Sequence, residues 1–129
     1  MFKLSKQEKT NLLYLSTVLE LSDSAGQYGF VRYRSTYRRL QAYASKERGI
    51  VLKRPACILD DRTPKKLRVP TISIDNGWVV QPIVRKTDLK LAVEIVRRRA
   101  KPYQKYKIYP DIHTGNVGWY NGKAVLFDW

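Results

Sequence analysis

Cysteine and histidine are almost missing from this 129-residue sequence, which has one of each, Cys57 and His113. A single thiol cannot close an internal disulfide, and without a Cys/His set there are no ligands for a structural zinc site. Acidic residues are scarce: 11 Asp and Glu stand against 25 Lys and Arg, for a formal net charge of +14. No apolar run approaches the roughly 18 residues of a membrane span. The opening Met1-Phe2-Lys3-Leu4-Ser5-Lys6-Gln7-Glu8-Lys9 is too polar for the apolar core of a secretory signal. A reducing, cytoplasmic location with no membrane partner is therefore expected. Internal repeats, low-complexity blocks and linkers are also lacking.

What is present is enough for one globular domain spanning 1–129: 43% of residues are hydrophobic and 12% aromatic. A chain of this length buries roughly two-thirds of its unfolded surface in a single core. The positive charge attracts polyanions, and Arg38-Arg39, Lys65-Lys66 and Arg97-Arg98-Arg99 are candidate phosphate contacts. These groups are scattered, so an acidic protein partner or a nucleotide fits the sign as well as a nucleic acid does.

Ser5-Lys6-Gln7-Glu8 has capping-box spacing, and Leu12, Leu13, Leu15, Val18 and Leu19 follow at near-helical intervals, predicting a helix over 5–19. Residues 17–21 also read as a strand. A turn-forming stretch with two glycines, 22–29, leads into Phe30-Val31-Arg32-Tyr33, which alternates like a strand. Residues 35–47 read as a helix with Tyr37, Leu40 and Ala44 on one side, ended by Gly49. Ile50-Val51-Leu52-Lys53 is a short β-branched run, broken by Pro55 and followed by a polar loop over 60–66. Two apolar runs, 69–74 and 78–84, are joined through Asn76-Gly77, a pair that favours the type I′ hairpin. Thr87-Asp88 starts a helix whose Leu89, Leu91, Ala92, Ile95 and Val96 line one side until Pro102.

Asn121-Gly122 marks a second two-residue turn near the C-terminus. Centring the turn there pairs Tyr120 with Lys123, Val117 with Leu126, and Asn116 with Phe127, which brings Asn116 and Asp128 to the open end of the hairpin. Near neighbours across an antiparallel pair lie roughly 5–8 Å apart, so an amide oxygen and a carboxylate there can share one cation. Both are hard oxygen donors suited to Mg²⁺, which takes its remaining ligands from water and phosphates. Asp111, five residues before Asn116, sits in the loop feeding the hairpin.

The segment Asp111-Ile112-His113-Thr114-Gly115-Asn116, followed after the hairpin by Leu126-Phe127-Asp128, resembles the catalytic loop and metal-binding acid of the protein kinase and aminoglycoside phosphotransferase superfamily. It is also similar to short kinase-like proteins of bacteriophages. The resemblance extends upstream in the same order. Ser24-Ala25-Gly26-Gln27-Tyr28-Gly29-Phe30-Val31 resembles the glycine-rich loop, with Ser in place of its first Gly; glycines let backbone N–H groups approach phosphate oxygens. Lys53, closing a β-branched run, resembles the strand lysine that contacts the α- and β-phosphates. Gln81-Pro82-Ile83-Val84 then falls where these folds have the hinge that bonds adenine through its backbone.

The resemblance implies an α+β, minimal protein-kinase-like fold: a small antiparallel N-lobe sheet over about 1–82, and a truncated C-lobe over about 83–129 with one main helix and a catalytic-loop hairpin. It implies ATP and Mg²⁺ as cofactors, bound by Gly26, Gly29, Val31, Lys53, Gln81 and Ile83, with Asn116 and Asp128 on the metal and Asp111 as the catalytic residue. His113 is expected to brace the loop by hydrogen bonding. Tyr109 and Pro110 stand where regulated kinases have His and Arg, which argues against control by an activation-loop phosphate. The ion-pair partner of Lys53 is Asp60, Asp61 or missing. Three functions stay open: a phosphotransferase acting on a hydroxyl of a protein or small molecule, a catalytically silent kinase-like module that binds and inhibits a host or cellular protein, and a basic nucleic-acid-binding domain using its nine Tyr and three Trp for stacking. The sequence ends just after Asp128, so transfer of the phosphate is expected to need a partner that completes the site, or to be absent.

Overall fold

A computed structural model describes residues 2–21, 25–34, 41–54, 63–106 and 112–127. Among them the chain is α+β. It has helices α1 (Lys6–Leu21) and α2 (Leu89–Ala100), strands β1 (Val31–Arg34), β2 (Gln41–Ser45), β3 (Ile50–Arg54), β4 (Ile72–Ser73) and β5 (Val79–Pro82), and a hairpin of β6 (Val117–Tyr120) and β7 (Lys123–Leu126). The chain divides into two compact units: Met1–Ile58 with Thr71–Ile83, and Leu59–Pro70 with Val84–Trp129.

In the first unit the capping box forms as its spacing implies: Glu8 N donates to Ser5 Oγ at 3.1 Å, and Ser5 N to Glu8 Oε1 at 3.2 Å. The ambiguous stretch 17–21 continues the helix. Leu12 and Leu19, seven residues apart on one face, are buried against Phe30, Tyr43, Ile50, Leu52, Trp78 and Val80. Ser16 between them is buried too, its hydroxyl donating to Leu13 O at 2.6 Å.

The sheet runs in the order β1-β2-β3-β5-β4, every neighbouring pair antiparallel. This corrects the helix expected over 35–47 wherever that segment is described: Gln41–Ser45 is strand β2 and 46–49 is the turn to β3. Ala42, Tyr43, Ala44 and Ser45 are all buried, so β2 lacks the in–out alternation that marks a half-exposed strand, and its Ala content mimics a helix. Gly49, at φ +67°, closes this hairpin turn rather than a helix. The Asn76-Gly77 hairpin is present, with both residues at positive φ (63° and 76°) as a type I′ turn requires. Ile74 N donates to Trp78 O, so the strands pair one residue off the register that the 75–78 turn alone would set. Its first strand is only Ile72–Ser73. The run expected over 69–74 is divided, because Val69 belongs to the second unit.

In the second unit α2 buries Ala92, Val93, Val96 and Ala100, with Leu89 and Ile95 partly buried. Leu91, expected on this face, is 50% exposed: at about 100° per residue it lies opposite Val93 and Ala100. Asp88 occupies the N-cap position in a left-handed conformation (φ 48°), and its side chain makes no capping bond. The α-helix ends at Ala100, and Pro102 falls within a short 3₁₀ turn over Lys101–Tyr106. The β6–β7 hairpin has the register expected from its turn, Val117 opposite Leu126 through Tyr120 opposite Lys123, with Asn121 and Gly122 both at positive φ. Both hairpin edges are engaged. Arg85 and Trp119 exchange backbone bonds of 2.9 and 3.0 Å, and Leu126 N donates to Leu67 O while Val69 N donates to Leu126 O, each at 2.7 Å.

Candidate functional site

Cross-strand register sets which side chains share a face of the sheet. Val31 is opposite Ala44, Ala44 opposite Val51, and Val51 opposite Gln81; in the next row Ala42 is opposite Lys53 and Lys53 opposite Val79. The other face carries Tyr43, Leu52 and Val80, the surface that α1 covers. Val31, Lys53 and Gln81, chosen from positions far apart in the chain, therefore lie together on the face turned away from α1. Val31 is 63% exposed, while Lys53 and Gln81 are buried. The Gln81 amide donates from Nε2 to Thr71 Oγ1 at 3.1 Å. A buried ammonium is costly unless partnered, so Lys53 is a held cation and not a solvated strand end. Asp60 and Asp61, the expected partners, lie outside the described residues.

Gly26 and Gly29 lie in the segment just before β1. Residues Ala25–Tyr28 form a 3₁₀ turn, and Gly29 N donates to Gly26 O at 3.2 Å. The loop connects a helix to a strand and does not lie between two strands. Gly29 has φ +77°, and a Cβ there would come within 3.1 Å of both Arg48 Nη1 and Glu47 Oε2. A Cβ on Gly26 would meet nothing within 4 Å. Arg48, from the β2–β3 turn, holds the loop: Nη1 donates to Tyr28 O (2.8 Å) and Ser45 Oγ (3.2 Å), and its guanidinium lies 5.0 Å from the Phe30 ring centre. Sequence reading missed Arg48, since its bond to Tyr28 spans 20 residues. Ile83 reaches the same turn, its N–H donating to Gly49 O at 3.0 Å, so this structure commits the donor the hinge reading would offer to adenine.

In the second unit Asn116 is buried at the open end of the hairpin, and Phe127 N donates to its carbonyl at 3.0 Å. The spacing His-x-Gly-Asn has a local explanation. His113 N donates to Asn116 Oδ1 (3.0 Å), Asn116 N donates to His113 O (3.1 Å), and Gly115 N donates to His113 Nδ1 (3.0 Å). A Cβ on Gly115 would sit 2.8 Å from His113 Cε1, so glycine is needed for the imidazole to fold back onto the loop. His113 thus braces the loop as expected. Asp111 and Asp128, the expected catalytic and metal-binding acids, lie outside the described residues. Among those described, no three His, Cys, Asp or Glu side chains cluster so as to hold a metal, and no helix is long and apolar enough to cross a membrane.

The chain matches no protein-family model, no curated protein and no solved structure. The architecture is α+β among the described residues, with no kinase fold identified.

Proposed function

We propose that this protein is a minimal kinase-like module that binds ATP and Mg²⁺ and transfers phosphate to a hydroxyl of a protein or small molecule in the cytoplasm. The observation that carries the reading is the convergence of Val31, Lys53 and Gln81 on one sheet face, with the lysine buried. A small-residue, apolar surface beside a held cation has the chemistry of a nucleobase–phosphate site. The self-bonded turn at Asn116 supports the metal half of the reading, since an amide oxygen can accept from His113 N–H and still ligate a cation.

In this reading Lys53 contacts the inner phosphate oxygens, and the open space over Gly26 admits the phosphates. Asn116 and Asp128 would hold Mg²⁺, which would supply positive charge to neutralise phosphate. Asp111 orients the attacking hydroxyl and accepts its proton as the oxygen–phosphorus bond forms and the bond to ADP breaks. Catalysis of this kind is mostly positioning and charge neutralisation. Asp128→Ala is expected to abolish Mg²⁺-dependent ATP binding in calorimetry. Asp111→Ala is expected to keep that binding and to lose transfer of radiolabel from ATP. Wild-type protein that takes up no ATP in the presence of Mg²⁺ ends the proposal.

A catalytically silent module that binds and inhibits another protein is the second reading. The internal bonds of Gly29 N–H and Ile83 N–H favour it, because they withdraw two backbone donors that a phosphate loop and an adenine hinge would use. ATP binding without label transfer to any acceptor would select it. Nucleic-acid binding through the positive charge would appear instead as strongly salt-dependent affinity with no nucleotide effect.

A further inference from the structure

We infer that Arg97 is a positioning residue for the 112–116 loop and, through it, for phosphate transfer; the second part rests on the function proposed above. The last turn of α2 carries Arg97, Arg98 and Arg99, which as a sequence resemble a phosphate-binding cluster. At about 100° per residue Arg97 and Arg99 fall on the two flanks of the stripe formed by Ala92, Val93, Val96 and Ala100, while Arg98 points the opposite way. Their contacts follow that division. Arg98 pairs with Glu94 on the exposed side. Arg97 Nη2 donates to Ile112 O at 2.9 Å. Arg99 donates from Nη1 to Ala124 O at 2.8 Å and from Nη2 to Lys66 O.

Two side chains of one helical turn thus gather carbonyls from three separate chain segments, and only Arg97 grips the proposed catalytic loop. Within that loop, the bonds among His113, Gly115 and Asn116 fix the turn locally but do not tie it to the rest of the unit. Among the described residues, the attachments that do so include the buried Ile112 side chain, the Phe127 N–Asn116 O bond on the hairpin side, and the Arg97 bond to Ile112 O. The Arg97 bond orients the 112–113 peptide, and a charge-assisted donor holds a carbonyl more firmly than a neutral one. Losing it frees that peptide to rotate towards solvent and loosens the 112–116 loop.

The test compares Arg97→Met, Arg97→Lys and Arg99→Met in the full chain. Backbone amide exchange is read by NMR without ligand, and ATP KM and kcat are read with Mg²⁺. Arg97→Met is expected to speed exchange at His113, Gly115 and Asn116 about tenfold while leaving β3 amides unchanged. It is expected to lower kcat about 10²-fold with ATP KM within about threefold of wild type, as misplacement of a reacting group does. Arg97→Lys restores part of kcat. Arg99→Met lowers the melting temperature but keeps kcat, separating a positioning role from a structural one. If Arg97→Met does not fold, Arg97→Lys decides, and wild-type exchange and kcat in that variant overturn the inference. Equal kcat losses in Arg97→Met and Arg99→Met overturn it as well. Unchanged loop exchange in a folded Arg97→Met overturns the clamp whatever the nucleotide data show. Accelerated exchange alongside a wild type that does not bind ATP leaves the clamp standing and overturns the function proposed above.

Discussion

The two glycines of the 26–29 loop make opposite demands on the chain. Gly29 is required by its own backbone, with φ +77° and two side-chain atoms of the next turn at 3.1 Å from any Cβ. Gly29→Ala is expected to destabilise the protein by about 1–2 kcal/mol in urea denaturation, the penalty of a left-handed non-glycine residue. Gly26 has no such need within the protein, since a Cβ there meets open space. Gly26→Ala is expected to leave stability within about 0.5 kcal/mol of wild type while weakening ATP binding in calorimetry. If both measures stay at wild-type values, the loop is a turn and nothing more. Gly115 is a third case, held by the approach of the His113 ring and not by an unusual φ.

The C-terminal hairpin shows how two elements can be fixed by different kinds of information. Its register comes from Asn121-Gly122, because only residues tolerant of positive φ complete a two-residue turn that matches strand twist. Its docking depends on Gly118, where a Cβ would lie 2.5 Å from Val84 Cγ2 and 3.2 Å from Arg85 O. Gly118→Ala must therefore push β6 away from the Val84–Trp119 neighbourhood and disturb the exchanged bonds between Arg85 and Trp119. A loss of about 1–3 kcal/mol is expected from thermal or chemical denaturation, the usual cost of overpacking a tight contact. A variant as stable as wild type would mean that the contact relaxes freely. The five-stranded sheet behaves differently: β2 is buried along four of its five residues, so it owes its strand state to neighbours on both sides.

The two compact units are interleaved in the chain, which passes between them after Ile58, Pro70 and Ile83. The second unit has Leu67 and Val69 fully buried, and Leu126 bonds to both of their backbones. A fragment of residues 84–129 lacks both side chains and leaves that edge of β7 unpaired. Such a fragment is expected to be unfolded by circular dichroism and NMR dispersion, whereas residues 59–129 regain structure. A well-dispersed spectrum from 84–129 alone would show that the 63–70 segment is dispensable to this unit.

Sequence alone settled whatever a few neighbouring residues decide. The capping box at Ser5 and Glu8, the left-handed turns at Asn76-Gly77 and Asn121-Gly122, the 117–126 register and the bracing role of His113 all act within a few residues along the chain or across one tight turn, and so could be read directly. Contacts across long stretches of chain decided the rest. Residues 41–45 became a central strand because two partner strands and burial on both faces outweighed a helix-like composition. Arg97, Arg99 and Arg48 turned from surface charge into donors for carbonyls 15 to 33 residues away. Val31, Lys53 and Gln81 could be picked out as residue types in order, but only the pairing of β1, β2, β3 and β5 determined that they share a face, since a one-residue slip in any pair would have turned one of them towards α1.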